Sequence, residues 1–203
     1  MGREGLARTL KKGASEKAHV VLIDETGLQL SPLRRRSWAK RGCRPVLRQL
    51  AGTRKKVSAI AALTLSPKSL RRNLYFQTLV DGTFNSARVA AFLRDLLKHL
   101  HGKVIVVWDN GPMHKGPAVR ELLRRNPRLS LEWLPPYAPD LNPVEALGSH
   151  LKYGHCANLI PRDLDHLDDE ATDFLVHTKV DPHLLQAYWG QTPLAEAMRK
   201  RAA

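Results

Sequence analysis

The sequence has little cysteine, no long apolar run and few acidic residues, and each shortage excludes a class of protein. Only Cys43 and Cys156 occur in 203 residues, far apart and without zinc-knuckle spacing, so neither a disulfide framework nor a structural zinc site is indicated. The longest apolar stretches, such as 59–65, are much shorter than the roughly 20 residues that span a bilayer. Residues 1–6 lack the apolar core of a signal peptide. We therefore predict a cytoplasmic protein without a membrane segment.

The shortage of acidic residues leaves the chain strongly basic. It contains 19 Asp and Glu against 33 Lys and Arg, a formal net charge of +14. Segment 28–80 holds thirteen basic residues and no acidic one, and ten of the thirteen lie within 34–56. Such a surface favours a nucleic acid partner, because binding releases counterions from the phosphates. An ordinary solvated surface is the alternative.

Nine side chains of this basic stretch are candidates for DNA contact. They are Arg34, Arg35, Arg36, Trp38, Lys40, Arg41, Arg44, Lys55 and Lys56. The indole of Trp38 is suited to stacking on DNA or packing against a partner subunit, and the alternative is a hydrophobic anchor for its own loop. Gly and Pro residues within 34–45 favour a loop or a twisted hairpin.

Hydrophobic patterning predicts strands that alternate with helices in the second half of the chain. Continuous or alternating apolar runs predict strands at 19–24, 56–65, 73–80, 103–109 and 129–134. An apolar stripe at helical spacing predicts a helix from Asn85 or Ser86 to a cap at Gly102. Further helices are predicted at 117–125, after Asn142, at 161–178 and at 182–189.

A three-strand meander followed by βαβαβ and a helix is the ribonuclease H-like order of elements. We therefore predict an α/β fold with a mixed five-stranded sheet flanked by helices. A chain of 203 residues suits one sizeable domain. The predicted parts are an N-terminal extension at 1–18, a core at 19–157 with a basic hairpin near 32–48, and a C-terminal helical extension at 158–203.

Three carboxylates follow this order of elements. Two predicted strands end on Asp24 and Asp109, and Glu145 follows Asp109 after 35 intervening residues. The two strands lie side by side in such a sheet, so both aspartates emerge at one edge, where ligands bind. Three such carboxylates predict a two-metal phosphoryl-transfer site. Taken singly, each aspartate also fits a turn cap, and Glu145 fits the third position of a helix capped by Asn142.

The segments around these carboxylates resemble DDE transposases of the mariner-like superfamily, especially its bacterial insertion-sequence branch. The similar segments are 23–27 around Asp24, 109–114 from Asp109 and 134–145 up to Glu145. Segment 38–45 is similar to the hairpin found between the first two strands of that family. The resemblance covers roughly residues 19–190 and keeps the order of the four motifs.

The resemblance implies that Asp24, Asp109 and Glu145 are catalytic and ligate two Mg²⁺ ions, for which Mn²⁺ can substitute. It implies cleavage of double-stranded DNA at the ends of an insertion sequence, joining of 3′-OH ends to target DNA, and a nucleoid-associated protein. Joining two ends favours a homodimer. Asn110 is a candidate for orienting the attacking water, and Asn142 for supporting Glu145.

Two residues close in sequence to these carboxylates, His114 and Glu25, have roles that the sequence does not decide. His114 is a candidate for touching the scissile phosphate or for positioning Asp109, and a polar surface histidine is the alternative. Glu25 follows Asp24 directly, so it points to the opposite side if the strand continues. We therefore do not predict Glu25 as a metal ligand.

The chain departs from the family pattern at two positions and in its N-terminal segment. Gly148 stands where the family usually has Trp, which weakens the helix by up to ~1 kcal/mol relative to Ala, and Ala146 replaces an Asn. About eighteen residues precede the first strand, so we expect a separate helix-turn-helix polypeptide to recognise the element ends. Two alternatives stay open: an inactive DNA-binding transposase remnant, and a ribonuclease H-like nuclease without strand transfer.

Overall fold

A computed structural model of the chain describes residues 3–31, 33–43, 46, 55–135 and 139–190. The strands are β1 (His19–Gln29), β2 (Lys56–Leu65), β3 (Arg72–Val80), β4 (Val104–Trp108) and β5 (Leu129–Trp133). The helices are α1 (Arg3–Ser15), α2 (Ser86–His99), α3 (Pro117–Arg125), α4 (Pro143–His150), α5 (Leu164–Val180) and α6 (Pro182–Gly190). Short 3₁₀ helices form at Pro112–Lys115 and Pro139–Leu141, and a π-helix at Leu151–His155 continues α4.

The five strands form one mixed sheet in the order β3-β2-β1-β4-β5. The meander β1-β2-β3 is antiparallel, whereas β4 pairs parallel with β1 and β5 pairs parallel with β4. This confirms the predicted mixed sheet and its ribonuclease H-like order of elements. Strand β2 and helix α3 have the bounds that the apolar pattern predicts.

Strand β1 is longer than its apolar run, so the prediction that it ends at Asp24 is wrong. Its parallel pairing with β4 stops at Leu22↔Val107, but its antiparallel pairing with β2 continues to Gln29↔Lys56. Beyond Leu22, β1 forms backbone pairs with β2 only, and this part of the strand accommodates polar residues. Asp24 therefore lies inside β1, two residues past Leu22, the last residue that pairs with β4.

The sheet is covered on both faces, and this decides which way each β1 side chain points. Val21 and Ile23 pack with α2 and α3 in one cluster, whereas Val20 and Leu22 pack with α4, α5 and α6 in the other. Because successive strand residues alternate between faces, Asp24 faces α4 and Glu25 faces the opposite layer.

The predicted N-terminal extension contains a helix that the sequence pattern did not reveal. Leu10 of α1 is buried, and Lys12 forms an ion pair of 2.5 Å with Glu132 on β5. Gly13 approaches β1 so closely that a Cβ atom there would lie 2.6 Å from a methyl group of Val20. Helices α5 and α6 likewise contribute Leu175 and Trp189 to the core around β1 and β2.

Several predicted boundaries differ by one to three residues; β4, for example, ends at Trp108 and not at Asp109. Helix α2 ends at His99 rather than at Gly102, because the N–H of Leu100 already closes the last turn on the carbonyl of Leu96. Gly102 instead takes φ 86° in the turn before β4. Helix α5 starts at Leu164, where the Asp163 side chain accepts the N–H of His166.

The basic hairpin predicted near 32–48 is described only in part. Within residues 33–43 no strand is present; Leu33 makes a single parallel bridge to Ala157, and 41–42 form a turn. Position 32 and residues 44, 45 and 47–54, including Arg44, lie outside the described residues.

Candidate active site

Asp24 is held by the sheet beside a cavity. Its carboxylate accepts the backbone N–H of Glu25 at 2.8 Å. It lines a cavity of about 190 Å³ together with Glu145 and Gly148 of α4. Burial raises the pKa of Asp24 to about 7; the N–H of Glu25 opposes the rise, and the negative charges of Glu145, Glu25 and Asp109 add to it.

Glu145 is positioned by the capped start of α4. The buried side chain of Asn142 accepts the N–H of Val144 at 3.2 Å and donates its amide N–H to the carbonyl of Ile23 at 3.2 Å. Asn142 is therefore the N-cap of α4, as predicted, and also fixes that helix to β1 next to Asp24. Pro143 follows at the first helical position, where a missing N–H has no consequence.

Asp109 follows β4 in an exposed loop that folds back on itself. Its Oδ1 accepts the N–H of Gly111 at 3.1 Å and lies 2.6 Å from Nδ1 of His114. The Asp109 side chain is 62% exposed, whereas that of His114 is 2% exposed. Asn110, between them in sequence, is exposed beside Asp109.

His114 is buried, which differs from the prediction that it contacts DNA. Its ring stacks on Trp108 with centroids 3.6 Å apart, and its Nε2 lies 3.3 Å from Oε1 of Glu25. Burial lowers the pKa of His114, but hydrogen bonds to Glu25 and Asp109 outweigh burial, and the net shift is upward. Nδ1 of the ring lies 3.1 Å from the backbone carbonyl oxygen of Asp109 and also contacts Oδ1 of that residue, so both ring nitrogens have acceptor oxygens as neighbours.

The three predicted carboxylates are electrostatically coupled. Asp24 interacts with both Glu145 and Asp109, and Glu145 interacts with Asp109. Burial, followed by the charges of Asp109 and Asp140, raises the pKa of Glu145. The chain therefore brings positions 24, 109 and 145 into one negatively charged region.

The donor set fits a hard divalent cation. Carboxylate oxygens are the ligands that Mg²⁺ prefers, and the repulsion among these three carboxylates is a force that a cation relieves. Among the residues that the structure describes, no three acidic, histidine or cysteine side chains are gathered closely enough to enclose a metal ion. Closure around a cation therefore requires the carboxylates to approach one another.

Gly148 opens the cavity between α4 and the sheet. A Cβ atom at this position would lie 3.5 Å from the nearest atom of Thr26, an ordinary contact. The walls are contributed by Ala59, Ala61, Leu147, Leu151 and Leu175, and Asp24 and Glu145 also line it. The position where the family usually has Trp is thus bordered by apolar space that a larger side chain can enter.

Most of the described candidates of the basic stretch are exposed, and Arg35 contacts the π-helix that continues α4. The exposed members among the described candidates are Arg34, Arg35, Arg36, Trp38, Lys40, Arg41 and Lys55, and Lys56 is half-buried at the start of β2. Arg35 donates to the carbonyl of Tyr153 at 3.0 Å, and its guanidinium lies 5.6 Å from the centroid of that ring. Trp38 is 100% exposed, so in this structure it does not anchor its loop.

Comparison with known protein families agrees with the geometry. The family model described as "DDE superfamily endonuclease" matches residues 19–168, from the start of β1 into α5. This chain belongs to the DDE superfamily of endonucleases. A search of curated proteins finds no match.

Solved structures of the Mos1 mariner transposase share the fold of this chain. A pre-cleavage Mos1 transpososome has a TM-score of 0.64 and 21% identity, with 98% of this chain and 59% of that chain covered. The Mos1 strand transfer complex has a TM-score of 0.62 and 22% identity, covering 95% and 56%. The Mos1 catalytic domain has a TM-score of 0.57 and 17% identity, covering 95% and 85%. The chain spans a little over half of the longer Mos1 chains.

Within the part of the chain that the structure describes, no helix is long and apolar enough to cross a membrane.

Proposed function

We propose that this chain is a transposase catalytic domain that cleaves DNA phosphodiester bonds at the ends of an insertion sequence and joins 3′-OH ends to target DNA. The observation that carries the proposal is the mutual coupling of Asp24, Asp109 and Glu145 within a matched DDE domain. Solved neighbours are named as a Mos1 strand transfer complex and as paired-end complexes with Mg and with Mn. Those names favour DNA as substrate and Mg²⁺ or Mn²⁺ as cofactor.

The three carboxylates are the proposed ligands of two Mg²⁺ ions. When bound, the ions supply charge stabilisation for the attacking and leaving oxygens of an in-line displacement. The protein contributes the positions of the ligands: β1 holds Asp24, the loop after β4 holds Asp109, and the Asn142 cap holds Glu145. Asn110 is exposed beside Asp109 and is the proposed residue for orienting the attacking water.

The exposed basic stretch is the proposed contact with double-stranded DNA. Its described residues are mostly exposed, Arg35 contacts the π-helix after α4, and the net charge of +14 favours binding to phosphates. We further propose a homodimer in a nucleoid-associated complex, with a separate helix-turn-helix polypeptide reading the element ends. The Mos1 neighbours are named as paired-end assemblies, which agrees with two protomers joining two ends.

The proposal is tested by DNA cleavage with single substitutions. Asp24→Asn, Asp109→Asn and Glu145→Gln should each abolish Mg²⁺-dependent cleavage of an end-containing duplex and leave non-specific DNA binding intact. Glu132→Gln is the matched control, because Glu132 lies on β5 in an ion pair with Lys12. Undiminished cleavage by the three variants contradicts the proposed site.

An inactive DNA-binding remnant is the second candidate, and the open space beside Gly148 is the observation that favours it. A missing Trp loosens the contact of α4 with the sheet and hence the position of Glu145. DNA binding without any nicking in Mg²⁺ or Mn²⁺, even with a helix-turn-helix polypeptide supplied, supports this candidate. Cutting of branched or hybrid substrates without strand transfer indicates a nuclease instead.

A further inference from the structure

We propose that Glu25 and His114 form a positioning pair that orients the Asp109 carboxylate for metal binding. This inference rests on the proposed function of the site and extends it to two residues that do not themselves ligate a cation. The side chain of Asp109 is 62% exposed, whereas that of His114, which it contacts, is 2% exposed. The exposed Asp109 carboxylate is thus in contact with a buried imidazole ring.

The contacts of His114 leave its ring little freedom. One face of the imidazole stacks on Trp108, whose side chain is fully buried at the end of β4. Nε2 lies 3.3 Å from Oε1 of Glu25, and Nδ1 lies 2.6 Å from Oδ1 of Asp109. Because both nitrogens have fixed partners, the ring cannot turn without breaking one of the two contacts.

Glu25 is placed for this role by the continuation of β1. The strand runs past Asp24, so Glu25 points to the face opposite Asp24, where His114 lies. The carboxylate of Glu25 is 19% exposed. One strand therefore presents a proposed metal ligand on one face and the support for a second ligand on the other.

Gly111 completes the arrangement around Asp109. Its N–H donates to Asp109 Oδ1 at 3.1 Å, and a Cβ atom there would lie 3.1 Å from the same oxygen and 3.3 Å from His114 Nδ1. Oδ1 thus accepts the N–H of Gly111 and contacts the His114 ring, whose Nδ1 also lies 3.1 Å from the backbone carbonyl oxygen of Asp109.

The pair is tested by Mn²⁺ binding to the full chain, measured by titration calorimetry and electron paramagnetic resonance. Glu25→Gln and His114→Gln should weaken Mn²⁺ binding about 10- to 100-fold, the range found when residues that orient metal ligands are changed. His114→Asn keeps an amide N–H near the position of Nδ1 and should retain more affinity than His114→Gln. Wild-type affinity in folded Glu25→Gln and His114→Gln overturns the inference.

Matched controls separate positioning from a loss of fold. Glu132→Gln changes a glutamate in an ion pair on β5, and His99→Asn changes a histidine stacked on Tyr75; both should bind Mn²⁺ like the wild type. In cleavage assays, Glu25→Gln should raise the Mg²⁺ concentration for half-maximal rate and leave the rate at saturating Mg²⁺ within a few-fold. A lower saturating rate with unchanged Mg²⁺ dependence indicates a structural role and overturns the inference.

The two proposals fail in different ways. If the wild type cleaves DNA and all variants have its Mn²⁺ affinity, the positioning pair is wrong and the transposase proposal stands. If the wild type binds Mn²⁺ and never cleaves DNA, the transposase proposal is wrong, and the affinities still decide the role of the pair. A wild type that binds no Mn²⁺ at this site contradicts both.

Discussion

Asp24 lies in β1 and Asp109 directly follows the neighbouring strand β4, but the two carboxylates are positioned by different means. Asp24 is part of a paired strand, and its side chain accepts one backbone N–H, that of Glu25. Asp109 lies past the end of β4, and its orientation depends on Gly111 and His114. The first carboxylate is placed by the backbone and carries the energetic cost of burial. The second is exposed and depends on side-chain contacts, so substitutions should affect stability at Asp24 and metal affinity around Asp109.

Removing the charge of Asp24 should have the largest effect on stability. Its pKa of about 7 in the folded chain lies above the ordinary 3.8, so the folded state binds more protons between these values. Stability of the metal-free protein therefore falls as pH rises through this window and is lowest above pH 7. Asp24→Asn should stabilise the metal-free chain at pH 8 by on the order of 2–4 kcal/mol.

Urea unfolding with a chelator at several pH values measures this effect. The gain from Asp24→Asn should shrink as pH falls from 8 toward 4. Added Mg²⁺ should reverse the ranking, because a cation at about a thousand times its Kd stabilises the wild type by about 4.1 kcal/mol. A gain that is independent of pH contradicts the account of Asp24.

Gly13→Ala should damage the backbone support of Asp24. The new methyl group would lie 2.6 Å from Val20 Cγ2 on β1, and overpacking of this kind costs about 1–3 kcal/mol. Thermal unfolding should show the loss, while Mn²⁺ affinity of the folded protein stays near that of the wild type. A loss of affinity without a loss of stability would contradict the proposed role of Gly13.

Gly111→Ala should show the converse pattern at Asp109. The added Cβ requires Asp109 and His114 to move by a few tenths of an ångström. We expect Mn²⁺ affinity to fall about tenfold, equivalent to roughly 1.4 kcal/mol, with little change in the unfolding midpoint. Calorimetric titration beside thermal unfolding measures both quantities, and equal losses at Gly13 and Gly111 would show that the two supports are not distinct.

Gly148→Ala should produce the smallest change, a gain. Position 148 lies within α4, and an added Cβ makes only ordinary contact with Thr26. Replacing a helical glycine by alanine stabilises by about 0.5–1 kcal/mol. Chemical unfolding should reveal the gain, and a destabilised variant would mean that α4 requires its glycine.

Much of the fold follows from local patterns in the chain. Strand β2 is predicted at its observed bounds because its apolar run coincides with its full pairing, and α3 because Pro117 and the basic last turn mark its ends. Strand β1 was predicted five residues too short, since its end depends on pairing with β2 rather than on apolar residues. Helix α1 was missed because its apolar face is sparse and interrupted by lysines.

Some site residues can likewise be predicted from the sequence around them, whereas others depend on contacts between distant segments. Asp24, Asp109 and Glu145 are found from the segments around them, and the Asn142 cap from its spacing to Glu145. The contact between Glu25 and His114 joins residues 89 positions apart, and the sequence around either residue does not predict it. Burial of His114 likewise depends on Trp108, whose ring covers it only after the loop beyond β4 has folded back.

The bond between Asn142 and Ile23 has a consequence for biosynthesis. All five strands are complete by Trp133, yet the carbonyl of Ile23 receives its amide partner from a residue 119 positions later. The sheet can therefore form before Glu145 is synthesised. The Glu145 carboxylate reaches Asp24 only when α4 docks on β1 through this bond.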